Sequence, residues 1–73
     1  MSRLNVEKAF ASAVVEHQAG RISKAESLYR QILAQQPDHA GALYYLGVIA
    51  HRMGRNDAAV ELIRKVVAIQ PEN

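Results

Sequence analysis

The sequence predicts an all-α fold: two helix–turn–helix repeats, four antiparallel helices of an α-solenoid. Three observations carry this. The chain aligns with itself at a shift of 34 residues. Its apolar residues recur at helical spacing, and its glycines and prolines fall where helices end. Internal repetition at such a period marks stacked supersecondary units. At this shift Val14 falls on Val48, His17 on His51, Gly20 on Gly54 and Arg21 on Arg55. Ala25 falls on Ala59, Leu28 on Leu62, Arg30 on Arg64, Ala34 on Ala68, Gln36 on Gln70 and Pro37 on Pro71. These are ten identities over 34 positions without a gap. Phe10/Tyr44, Val15/Ile49, Ile32/Val66 and Leu33/Val67 add conservative pairs.

The chain divides into a lead-in over 1–5, a first repeat over 6–39 and a second over 40–73. The first helix is expected from about Leu4 to Ala19, closed by Gly20, where a helix end favours a left-handed residue. The second is expected to open at Ser23-Lys24-Ala25-Glu26, whose S-x-x-E spacing matches a capping box. Pro37 stops it, because proline lacks the amide proton and restricts the residue before it. In the second repeat Asp38 is expected to open the first helix and Gly54 to close it. Asn56 or Asp57 is expected to cap the next helix, and Pro71 to end it.

This spacing resembles the tetratricopeptide repeat. In the second repeat Leu43, Leu46, Gly47 and Ala50 stand at the family's first-helix positions, with Ala59, Ile63 and Pro71 following. The first repeat supplies Ala9, Ser12, Ala13 and Glu16, then Ala25, Tyr29 and Pro37. Ser12 and Glu16 depart from the pattern, as suits a terminal repeat whose outer side meets water. The run Tyr45-Leu46-Gly47-Val48-Ile49-Ala50-His51, with Gly54-Arg55, also resembles repeats near the start of bacterial proteins bearing an O-GlcNAc-type glycosyltransferase domain.

The first resemblance implies a protein-binding scaffold in which the first helices of the repeats line a concave groove. The groove residues are then Glu7, Phe10, Val14 and Gln18 in repeat one, and Tyr44, Tyr45, Val48 and Arg52 in repeat two. They suit an apolar peptide or helix, because aromatic anchors dominate many such contacts. Chaperone adaptors of the family hold a carboxylate with Lys and Asn at these slots. Here Phe10, Val14, Tyr44 and Val48 occupy them. The asparagine ladder of the glycosyltransferase relatives is replaced by Ala11 and Tyr45.

The last helix is apolar over about half its circumference, more than one neighbour requires. Its surplus predicts a self-association edge at Met53, Leu62, Val66 and Ile69, and hence a homodimer, by domain exchange through Pro37–Ala42 or by edge contact. By the same reasoning the chain is expected to be the N-terminal piece of a longer protein.

The chemistry of the chain excludes more than it offers. It has no cysteine, four dispersed glycines and a net charge of +2. Thiolate metal sites, a phosphate loop and a concentrated basic face are therefore missing. The three histidines lack a third ligand at metal spacing. No Ser/His/Asp arrangement is evident. No cofactor, metal, membrane or nucleic-acid partner is expected, and the chain is not expected to be an enzyme. No signal sequence is evident, and a cytoplasmic location is expected. Two alternatives stay open: substrate-recruiting repeats of a larger bacterial glycosyltransferase-type enzyme, and an RNA-binding helical repeat.

Overall fold

A computed structural model describes residues 4–69. Helix α1 spans Val6–Gln18, α2 Ile22–Gln35, α3 Ala40–Arg52 and α4 Asn56–Ile69. Each repeat is a helical hairpin, α1 against α2 and α3 against α4, and the hairpins join where α2 packs on α3. The predicted stop at Pro71 lies outside the described residues.

The two hairpin turns share one construction. After α1, the amide of Gly20 donates to the His17 carbonyl at 3.1 Å and that of Arg21 to Glu16 at 2.8 Å. After α3, Gly54 donates to His51 at 3.0 Å and Arg55 to Ala50 at 2.8 Å. This paired pattern is a Schellman motif, which needs a left-handed residue beyond the helix. Gly20 and Gly54 supply it, with φ of +86° and +78°.

The helix starts differ from the sequence expectation. Ser23 does not cap α2. The helix begins at Ile22, Arg21 holds the cap position without a side-chain bond, and Ser23 lies exposed inside the first turn. Because the Schellman turn already uses the Arg21 amide, the chain enters α2 directly. Glu26 instead pairs with Arg30 one turn along, at 2.7 Å. Asn56 and Asp57 likewise lie in the first turn of α4 rather than before it.

Two caps are made by other residues. Asn5 Oδ1 accepts from the Lys8 amide at 3.0 Å, so α1 starts after Leu4. At α3, His39 rather than Asp38 is the cap, its Nδ1 accepting from the Ala42 amide at 3.0 Å. The turn before it closes through His39 N–H to the Gln36 carbonyl at 3.0 Å, with Pro37 as its second residue. His39→Ala is expected to lower stability by about 1 kcal/mol, while His39→Asp keeps most of it. Urea unfolding of the three proteins checks this; equal midpoints would show that the cap contributes nothing.

The core is built of small residues and a few large ones. Ala9, Ala13, Ala25, Tyr29 and Ile32 from repeat one meet Ala42, Leu46 and Ile49 from repeat two. The alanines allow the helices to approach, and Tyr29 and Ile32 fill the space between them. Of the two departures from the repeat pattern, Ser12 is exposed. Glu16 turns back to Arg21, with its Oε1 at 3.3 Å from the guanidinium.

Candidate partner-binding surfaces

Helices α1 and α3 border a shared surface. Val14, Gln18, Tyr44, Tyr45, Val48 and Arg52 line a shallow depression of about 310 Å³ there, together with His17. Six of the eight groove residues expected from the sequence therefore meet in one place. His17 was missed, although its helical position, three residues beyond Val14 and one before Gln18, puts it on the same side.

Two expected residues lie elsewhere. Phe10 is half-buried between the repeats, its ring 6.1 Å from Tyr29, 5.8 Å from Tyr45 and 5.0 Å from His39. It packs so closely on α3 that a Cβ at Gly41 would lie 2.7 Å from its Cζ. Glu7 is exposed near the start of α1, in a separate dip with Gln35 and Gln36.

Within the depression the aromatic residues divide their tasks. Tyr45 stacks on the buried Tyr29 at 5.6 Å and 8° between planes. His17 meets Tyr45 edge-on at 5.7 Å. Both are thus partly used to hold the repeats together. Tyr44 stands against Tyr45 at 5.4 Å and 74° and stays 49% exposed. It is an aromatic side chain set against a second ring and open to solvent, and it shares the depression with Gln18 and Arg52.

Of the residues assigned to a self-association edge, Leu62, Val66 and Ile69 lie along one stripe of α4, and Met53 lines the same depression as Leu62. Leu62 is half-buried and packs against the core. With Met53 it lines a depression on the α2–α4 side, among Leu33, Leu43 and Leu46. Val66 is half-buried as well, and Met53 and Ile69 are exposed. The Leu62 side chain packs on α3, beside Gly47.

A further apolar face lies on the open side of α3 and α4. Val48, His51, Val60, Ile63, Arg64 and Val67 line a groove of about 580 Å³, floored by Gly47 and Ala59. Val60, Ile63 and Val67 are 49%, 36% and 59% exposed.

No group of three or more potential metal ligands occurs among the described residues. Among them, no helix is long and apolar enough to cross a membrane.

Two stacked helical hairpins in 34-residue register, closed by matching glycine turns, define a helical-repeat protein. The family model described as the tetratricopeptide repeat matches residues 10–73. The chain belongs to that family, whose repeats generally mediate protein–protein interaction. Comparison with curated proteins and with solved structures finds no match.

Proposed function

We propose that the chain is a non-catalytic, protein-binding scaffold that takes a peptide or helical segment of a partner on its concave side. The observation carrying this is Tyr44, half-exposed on a fixed aromatic base. Binding hot spots are enriched in such residues, because a preordered ring gives much contact area at little entropic cost. Val14 and Val48 extend the apolar contact, and Gln18 and Arg52 supply a few polar ones. The fitting ligand is an apolar segment with a carboxylate or carbonyl near Arg52. We place the protein in the cytoplasm, in keeping with its lack of cysteine.

An RNA-binding role finds little support, since Arg52 is the one Lys or Arg lining this depression and nucleic-acid surfaces carry clustered cations. Recruitment of substrates to a larger glycosyltransferase would use the same groove. The homodimer expected from the sequence would use Met53, Leu62, Val66 and Ile69, of which Leu62 and Val66 are half-buried and Met53 and Ile69 exposed.

Selection of a displayed peptide library on the chain tests the proposal. Peptides enriched on the wild type are expected to lose at least tenfold in affinity for Tyr44→Ala, about 1.4 kcal/mol or more. They are expected to lose less for Arg52→Ala. Enriched peptides that bind Tyr44→Ala undiminished would move the site elsewhere.

A further inference from the structure

The α2–α4 depression, of about 420 Å³, combines an apolar floor with a basic rim. Leu43, Leu46 and Ile49 of α3 are buried beneath it, while Leu33, Met53 and Leu62 keep part of their surface open. Arg55 and Lys65 stand on its α4 side and Arg30 on its α2 side. Glu26 is the one acidic residue lining it, and Arg30 already holds that carboxylate at 2.7 Å.

Comparison of the two repeats shows why the rim is left positive. Arg21, which aligns with Arg55, pairs with Glu16 at 3.3 Å. At the position of Glu16 the second repeat has Ala50, which lines the depression. Arg55 therefore lacks the partner that its counterpart keeps. Lys65 aligns with the neutral Gln31. Neither Arg55 nor Lys65 makes an ion pair among the described residues. Arg55, Ala58, Leu62 and Lys65 recur at helical spacing, so the two cations share one face of α4 with apolar side chains between them. At about 1.5 Å per residue they stand about 15 Å apart along the axis.

Stacking of a further repeat does not cover this side. Repeat one is itself followed by a repeat, and there Arg21, Lys24 and Gln31 hold the positions of Arg55, Ala58 and Lys65. All three are exposed. A docked helix does not fit the space either. One long enough to bridge the cations, about 10 Å wide and 15 Å long, fills about 1,200 Å³. An extended strand covers the same distance with about five residues, at about 3.3 Å each. Alternate side chains of a strand point the same way. Carboxylates at its first and last positions and an apolar side chain midway then face the depression together. The chain's own acid–apolar–acid run, Asp57–Glu61, is helical within α4, so a second copy does not offer this arrangement.

We infer that the α2–α4 depression binds an extended acidic–apolar peptide segment of a partner protein. Its two outer carboxylates meet Arg55 and Lys65, and its central aliphatic side chain lies over Met53 and Leu62. The spacing of charge is recognised along with the apolar area. This depression shares no lining residue with the one around Tyr44, so its occupation leaves Tyr44 free.

The test uses the 73-residue chain and the end-blocked peptide Glu-Val-Leu-Val-Glu. Saturable binding is expected, with methyl resonances of Leu33, Met53 and Leu62 shifting, those of Val14 and Val67 unmoved, and affinity falling as salt rises. Arg55→Gln and Lys65→Gln are each expected to weaken binding about threefold, and the double variant about tenfold, because sites this far apart act independently. Both side chains are exposed and unpaired in the protein, so helical circular dichroism is retained. Lys24→Gln, outside the depression, is expected to change nothing. A peptide with Gln for both Glu is expected to lose the same factor of about ten. Four results would overturn the inference. One is no saturation at millimolar peptide. Another is equal binding of the Gln peptide. A third is shifts centred on Val14 and Tyr44, or on Val60 and Val67. The last is a peptide-free dimer by light scattering that Met53→Glu dissociates, which would make a second copy the occupant. The Glu peptide is expected to bind Tyr44→Ala as it binds the wild type, so the two surfaces are judged separately.

Discussion

Replacing Tyr29 with alanine is expected to leave the chain unfolded at 25 °C. Tyr29 is fully buried and sits where the two repeats meet. Its ring stacks on Tyr45 and lies 6.1 Å from Phe10 and 6.4 Å from His17. Removing a buried aromatic side chain costs about 3–5 kcal/mol through lost contacts and the cavity left behind. A single core of this size supplies about 3–5 kcal/mol in total, so the loss consumes the stability of the domain. Tyr29→Phe is expected to behave quite differently. The Tyr29 hydroxyl is buried without a hydrogen-bond partner among the described residues. Removing it relieves a desolvated polar group, so the variant should match or exceed the wild type by up to about 1 kcal/mol. Circular dichroism at 222 nm with urea titration checks both. A Tyr29→Phe protein weakened as much as Tyr29→Ala would show that the hydroxyl, not the ring, holds the repeats together.

The same residue should make the fold sensitive to alkali. Burial, and then the neighbouring Tyr45, pushes the Tyr29 phenol up to about 12. In the unfolded chain it titrates near 10. Between these values the folded state keeps a proton that the unfolded state has lost, so stability falls as pH rises. The stabilisation is complete below about pH 10 and is lost as pH rises toward 12, on the order of a few kcal/mol. That is a large part of what a domain of this size holds. Tyr29→Phe should remove this component and carry the unfolding midpoint to higher pH, which controls for the lysines and arginines that titrate in the same range. Identical alkaline midpoints for wild type and Tyr29→Phe would contradict the assignment.

The repeat made most of the architecture legible. Ten in-phase identities set four helices and their connections, because Gly20 and Gly54 could serve only as left-handed helix ends in both copies. Helix starts were less legible. Ser23 and Glu26 have the spacing of a capping box. Yet the tight turn at Gly20 consumes the Arg21 amide and starts α2 one residue before Ser23. Asp38 was read as opening α3, since a histidine cap depends on which ring nitrogen faces the helix, and no spacing rule encodes that. The surfaces were legible in part. A helical wheel groups Val14, Gln18, Tyr44, Val48 and Arg52 correctly, but cannot tell which flank of a stripe its neighbour covers. Phe10 was thus assigned to the groove, although it lies in the joint between repeats. Leu62 was counted with the surplus of α4, although it is half-buried against α3. The open face at Val60, Ile63 and Val67 emerges only when the buried surface of repeat one is carried over to repeat two.

The most direct test of the proposed function is to map, by amide and methyl chemical shifts, where a library-selected peptide sits on the chain. The account predicts that the largest shifts fall on Val14, Gln18, Tyr44, Val48 and Arg52, and that they vanish in Tyr44→Ala. Shifts confined to Leu33, Met53 and Leu62 on the α2–α4 side, unchanged in Tyr44→Ala, would contradict it.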